Sequence, residues 1–177
     1  MEPLSVAIVG ADGLVGQELL KILEERRFPA RSVRLFDSDR ATSSQYFFSH
    51  QRLEVEVATS DSFREIDIAF FLDGADATRR LLPSALQAGT IVVDDSGITA
   101  SDSGVPIIVP EVNAEDIASH KGVLGNPGCG TIQLALALYP LHKVNPLKRV
   151  VASTYQPVSC SGTASALKEL ISKAKRV

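Results

Sequence analysis

Short apolar runs alternate with longer amphipathic stretches along most of the chain. "SVAIVG" (5–10) is apolar and ends in glycine, the mark of a buried parallel strand. In the stretch that follows, Val15, Leu19, Ile22 and Leu23 recur at helical spacing, which predicts a helix with those four on its inner face and Pro29 just beyond its end. "VRLFDS" (33–38) predicts a second strand, and "LEVEVA" (53–58) alternates as a half-exposed strand does. "IDIAFFL" (66–72) reads as another central strand, followed by a helix through "DATRRLLPSALQAG" that ends at Gly89 and is kinked at Pro83. "TIVVDDS" and "VPIIVPEVN" predict two more strands and "AEDIASH" a short helix. "CGTIQLALALYPLH" is apolar almost all round and predicts a deeply buried helix; "KRVVASTYQPV" predicts a strand and "TASALKELISKAKRV" a final helix.

Strands and helices alternating at this spacing predict the α/β class, with a doubly wound, mostly parallel sheet. The expected division is one unit over residues 1–128 and the opening of a second, incomplete one over 129–177. No repeat or low-complexity linker interrupts the pattern.

Composition narrows the partners. Eighteen Lys+Arg stand against 21 Asp+Glu in 177 residues, for a net charge of −3, and no basic run tracks a phosphate backbone, so nucleic acid is not an expected partner. No apolar segment reaches the roughly 18 residues that a membrane span needs. The start, "MEPLSVAIVG", enters a strand at once without a basic leader, and two cysteines imply no disulfide framework; both point to the cytoplasm. His50, His120 and His142 show no metal-ligand spacing with the cysteines or with one another, so no metal is expected, and His142 is placed as a cap at a helix C-terminus.

Gly10, Gly13 and Gly16 punctuate the first strand-to-helix junction, "GADGLVG". Glycines there let the backbone turn tightly and approach a pyrophosphate seated on the N–H groups that open the helix. The alternative is a tight turn that binds nothing; the preceding strand, the following helix and an acidic residue some 20 positions on favour the dinucleotide. That acidic residue is Asp37, whose carboxylate suits a ribose 2′-OH, while Arg40 suits a 2′-phosphate, so these residues leave NAD and NADP both open. Asp12 brings an unexpected negative charge into the loop.

Cys129 follows "NPG" and opens the apolar helix. A thiol in a helix's first turn faces unpaired N–H groups and the positive end of the macrodipole, which favours the thiolate. Asn126 and neighbouring backbone are candidate donors to a developing oxyanion. The competing reading is a small hydrophobe. A glycine loop and a helix-mouth cysteine in one chain favour a thiohemiacetal mechanism, with thiolate attack on an aldehyde and hydride passing to a nicotinamide. Cys160 has no comparable setting.

Four ordered segments, "VAIVGADGLVGQELLKILEER", "VPIIVPEVN", "GNPGCGTIQL" and "VVASTYQPVS", resemble the aspartate-semialdehyde dehydrogenase family. The resemblance implies a Rossmann-type N-terminal domain and an α+β domain for catalysis and dimerisation. It implies NADPH-dependent reduction of L-aspartyl 4-phosphate to aspartate semialdehyde, on the way to lysine, methionine and threonine, by a cytoplasmic homodimer. It places Cys129 as the acyl-forming nucleophile and Gln156 as the residue that orients the substrate. Asp12, Gly13, Leu14, Val15, Arg40, Ala41, Ser159 and Cys160 fall at its cofactor contacts.

Departures cluster at anion contacts. Ala100 stands where the family carries an arginine for the substrate phosphate, and a methyl cannot replace that bidentate hold. Asp73 and Asp76 enter the loop near the nicotinamide, and "NPGC" loses the amide beside the nucleophile. The family's catalytic histidine and second substrate arginine lie in a C-terminal half beyond these residues. Two functions follow: an oxidoreductase of this type, or a non-catalytic paralogue serving as a binding or assembly module. Retention of Cys129 and Gln156 favours the first, Ala100 the second; a further, weaker reading is the same cysteine chemistry on an unphosphorylated or differently charged acyl substrate.

Overall fold

A computed structural model describes residues 2–39, 42–102 and 104–155. The first apolar run forms β1 (Leu4–Val9), and its alternation sorts two cores at once. Ala7 and Val9 pack with Phe36, Phe63, Phe71 and Val92 on one face; Val6 and Ile8 pack with Leu20, Leu23, Val33 and Leu35 on the other. A strand buried on both faces has no polar side to give, so its sequence is apolar but for Ser5, whose hydroxyl accepts from Arg31 at 2.9 Å.

Around β1 lie β2 (Ala30–Asp37), β3 (Thr42–Phe48), β4 (Gln51–Val57), β5 (Ile68–Phe71), β6 (Ile91–Asp94) and β7 (Val123–Gly125). The sheet order is β3-β4-β2-β1-β5-β6-β7, parallel except where β3 runs against β4. The chain winds outward from β1 in both directions, as the doubly wound expectation requires. Helices are α1 (Leu14–Glu25), α2 (Ala75–Gln87), α3 (Pro110–Asn113) and α4 (Cys129–Val144). Among the described residues, no helix is long and apolar enough to cross a membrane.

Several expectations are corrected. Of the expected inner face of α1, Leu23 is buried and Leu19 and Ile22 are partly buried, but Val15 is half-exposed, and Gly16 and Leu20 are buried as well. "VPIIVPEVN" is not a strand: Pro106 and Pro110 lack N–H donors, so only Ile107 bridges to Gly125 before α3 begins. Residues 148–155 form no strand. α4 forms where expected but buries none of its residues, with Leu141 58% and Val144 88% exposed. Its apolar surface needs partners on several sides, and among the described residues α3 packs against it.

Two strands escaped the sequence pattern. β3 pairs with β4 through Ser49 and His50, both at positive φ, and that turn lacks the Asn-Gly signature that marks such hairpins. β7 is three residues long, too short for any periodicity. The final predicted helix and the end of the preceding predicted strand lie outside the described residues.

Candidate functional site

The turns that leave β1, β2, β5, β6 and β7 all open at the carboxyl edge of the sheet, where open α/β sheets bind ligands. Strand order reverses at the β1–β5 junction.

The turn after β1 is built by close approach. The Gly10 and Ala11 N–H groups both donate to the Phe36 carbonyl, at 2.7 and 3.1 Å, folding the loop back over β2. Gly10 has φ +89°, and a Cβ there would stand 2.9 Å from the Asp73 nitrogen. A Cβ on Gly16 would stand 2.7 Å from the Ala11 Cα and would collide with the Gly10 carbonyl oxygen, so α1 presses against the loop without side chain between them. Gly13 takes the N-cap position of α1 with no side-chain cap, and the first turn carries no acidic residue. The amide groups that open this helix are thus left for an anion. Leu14 and Val15 expose their side chains (78% and 49%).

The misplaced charge of Asp12 has a partner. The Tyr46 hydroxyl donates to Asp12 Oδ1 at 2.6 Å, and Gln17 Nε2 donates to the Asp12 carbonyl at 2.9 Å. Burial first, and then the Asp12 bond and charge, push the Tyr46 hydroxyl up to about 12. Asp37 ends β2, and its Oδ1 accepts the Asp39 N–H at 2.9 Å. Asp73 accepts the Ser38 N–H at 3.0 Å, and Asp76 pairs with Arg79 at 2.7 Å, so both acids of that loop are engaged.

Cys129 is exposed and is the first residue of α4, with Gly128 as N-cap. The loop before it is clasped on both sides. Gly125 N–H donates to the Pro106 carbonyl at 2.9 Å and Asn126 N–H to the Asp94 carbonyl at 2.8 Å. Asn126 Nδ2 donates to Asp95 Oδ1 at 2.6 Å. Asp94 itself is fully buried at the end of β6. Its carboxylate accepts from the Thr78 hydroxyl (3.3 Å), from Ser96 N–H and hydroxyl (3.0 and 2.6 Å), and from Thr99 N–H and hydroxyl (3.3 and 2.6 Å). It pins the 3-10 turn Thr99–Ser101, which carries Ala100.

The glycine loop and the cysteine loop thus share one edge, three strands apart in the order β1-β5-β6-β7, or about 14 Å at the usual strand spacing. Arg40, Ala41, Gln156, Ser159 and Cys160 lie outside the described residues. His142 is in the last turn of α4, where its Nδ1 accepts the Leu147 N–H at 3.1 Å.

Residues 5–120 match the family described as Semialdehyde dehydrogenase, NAD binding domain. The chain belongs to this family. Aspartate-semialdehyde dehydrogenase of Bacillus subtilis is 41% identical over 174 residues, 98% of this chain and 50% of that protein. The Prochlorococcus marinus enzyme is 42% identical over 168 residues, 95% of this chain and 49% of that protein. In structure, aspartate semialdehyde dehydrogenase II of Vibrio cholerae, complexed with ASA, superposes at a TM-score of 0.88 with 33% identity, covering 97% of this chain and 52% of that one. The chain spans about half the length of the curated relatives it matches.

An NAD-binding semialdehyde dehydrogenase domain needs a loop free of side-chain bulk and a helix start free of carboxylate, and Gly10, Gly16 and the uncapped α1 meet both needs. Local sequence does not mark Tyr46, Arg80, Asp94 and Asp95 as site residues, and it shows Asp73 only as a departure from the family pattern. Asp94 carried one legible signal, an acid ending an apolar strand directly before a turn; the others act through contacts distant in the chain.

Proposed function

We propose that this chain is the cofactor-binding half of an aspartate-semialdehyde dehydrogenase-type oxidoreductase, with residues 1–128 as the dinucleotide-binding unit and 129–177 as the start of the catalytic and dimerisation unit. The observation that carries the reading is Cys129, exposed at the mouth of α4 on the sheet edge that also carries the glycine loop. Gly10, Gly13, Leu14 and Val15 would hold the diphosphate of NADP through backbone, with Asp37, Arg40 and Ala41 at the adenosine ribose and Ser159 and Cys160 towards the nicotinamide. The bound dinucleotide supplies hydride-transfer chemistry.

The chain's own chemistry begins at Sγ of Cys129. The thiolate adds to the carbonyl carbon of an acyl phosphate such as L-aspartyl 4-phosphate; the C–O bond to phosphate then breaks, phosphate departs with its electron pair, and a thioester remains on Cys129. Asn126, aligned by Asp95, offers its remaining amide hydrogen near that carbonyl, and Gln156 orients the substrate. Cys129 regains its thiolate when the reduced acyl group leaves as aldehyde. The assembly that does this is a cytoplasmic homodimer serving amino-acid biosynthesis.

The test is the reverse reaction on the natural-length protein, with aspartate semialdehyde, phosphate and NADP, followed by appearance of reduced cofactor. Activity that disappears in Cys129→Ala supports the reading; no activity, or activity that survives this substitution, overturns it.

A further inference from the structure

α2 follows β5, so it sits across the β1–β5 junction from β2. Its Arg80 nevertheless reaches back over the end of β1 to the turn after β2. There Nη2 donates to the Ser38 carbonyl and stands 3.4 Å from Asp39 Oδ1. With Asp73 holding the Ser38 N–H at 3.0 Å, both backbone groups of Ser38 are gripped from the β5–α2 side. Ser38 is itself buried, which fixes the turn's position.

The turn after the second strand is where a doubly wound nucleotide fold places the adenosine ribose. A carboxylate there suits a 2′-OH, and a guanidinium suits a 2′-phosphate. Asp37 is partly withdrawn from that contest, because one of its oxygens accepts the Asp39 N–H within the turn. Asp39 is 82% exposed on its side chain and Arg80 53%, so their long ion pair is screened by water and easily exchanged. Phosphate offers a guanidinium a bidentate, more highly charged partner than one distant carboxylate oxygen.

We propose that Arg80 exchanges Asp39 for the 2′-phosphate of an adenine dinucleotide and thereby selects NADP over NAD. The inference rests on reading the β1–α1 loop as the dinucleotide site. Arg80 keeps its bond to the Ser38 carbonyl, which holds the fork at the ribose, while Asp39 turns out to solvent.

The experiment is fluorescence titration of the purified 177-residue chain with NADPH and with NADH. The wild type binds NADPH more tightly. Arg80→Gln weakens NADPH by about tenfold or more while moving NADH by less than about twofold, and Arg80→Lys, a point charge without the fork, recovers part of the loss. Asp39→Asn removes the competing carboxylate and tightens NADPH alone, most clearly at low salt. Equal weakening of both nucleotides in Arg80→Gln makes Arg80 a prop for the Ser38 turn and overturns the proposal, as does an unchanged NADPH affinity. If melting shows that Arg80→Gln has lost its fold, Arg80→Lys and Asp39→Asn decide by the same selectivity. A wild type that binds both nucleotides equally overturns this inference alone; one that binds neither overturns the dinucleotide-site reading with it.

Discussion

The hydroxyl of Tyr46 donates to the Asp12 carboxylate at 2.6 Å, tying β3 to the loop between β1 and α1. This bond accounts for an acid one residue before the N-cap of the helix proposed to receive a diphosphate: the carboxylate is drawn towards β3. Tyr46→Phe is therefore expected to weaken dinucleotide binding by about tenfold or more, roughly the net worth of one hydrogen bond to a charged group. Asp12→Asn is expected to tighten it. Titration calorimetry with NADPH checks both.

The same bond sets a pH dependence. Tyr46 is pushed from 10.0 up to about 12, chiefly by burial and then by Asp12, so the folded state holds this proton more tightly than the unfolded chain does. That stabilisation is intact below pH 10 and is lost as pH rises towards 12. Between those values the melting temperature of the wild type should fall more steeply than that of Tyr46→Phe, measured side by side by circular dichroism.

Gly16→Ala drives a methyl into the Gly10 carbonyl and the Ala11 Cα, both backbone, which cannot move aside as a flexible side chain would. A loss of about 2 kcal/mol or more is expected, together with loss of nucleotide binding. Gly128→Ser is the contrast: nothing lies within 4 Å of its Cβ position, φ is −58°, and serine suits an N-cap. Its stability should stay within about 0.5 kcal/mol of wild type in urea denaturation.

Asp94→Ala would leave the hydroxyls of Thr78, Ser96 and Thr99 without their shared acceptor in a buried site. The expected cost is about 3 kcal/mol, since each bond to a charged group is worth more than a neutral one and orphaned donors add to the loss. The denaturation midpoint reports it.

Asp95→Ala frees the Asn126 amide while leaving the exposed surface otherwise intact. On the natural-length protein, kcat is expected to fall by about fivefold to tenfold with little change in melting temperature, because the lost interaction orients the loop before Cys129 rather than supporting the core. Steady-state kinetics on aspartate semialdehyde, with a melting curve alongside, separates the two effects.

Much of the architecture was legible before any coordinates. β1 and β5 announce themselves because parallel strands buried on both faces leave little place for polar residues, and β2 does so through Val33, Leu35 and Phe36. α1 and α2 carry the helical period; the expected inner face of α1 holds at Leu23 and in part at Leu19 and Ile22, but at its start Gly16 rather than Val15 turns inward, because it meets the loop. The 105–113 stretch misled because its apolar residues resemble a strand while its prolines cannot donate to one. β3 hid behind a Ser49–His50 turn without the usual signature.

The chemistry divides in the same way. Gly10, Gly13, Gly16, Asp37 and Cys129 are visible in the chain because their roles come from backbone conformation and from position at the ends of elements, which local sequence controls. The partners that make those positions usable are not: Tyr46 on Asp12, Arg80 and Asp73 on Ser38, Asp95 on Asn126. Each joins residues 31 to 42 positions apart, and nothing in the local pattern of either partner records the other. Sequence by itself determined the fold class, the glycine turn and the cysteine at a helix mouth, because these follow from periodicity and backbone freedom. Only the tertiary structure decided which carboxylates are tied back from the site and which cation crosses it, because long-range pairings come into being when the sheet brings its strand ends together.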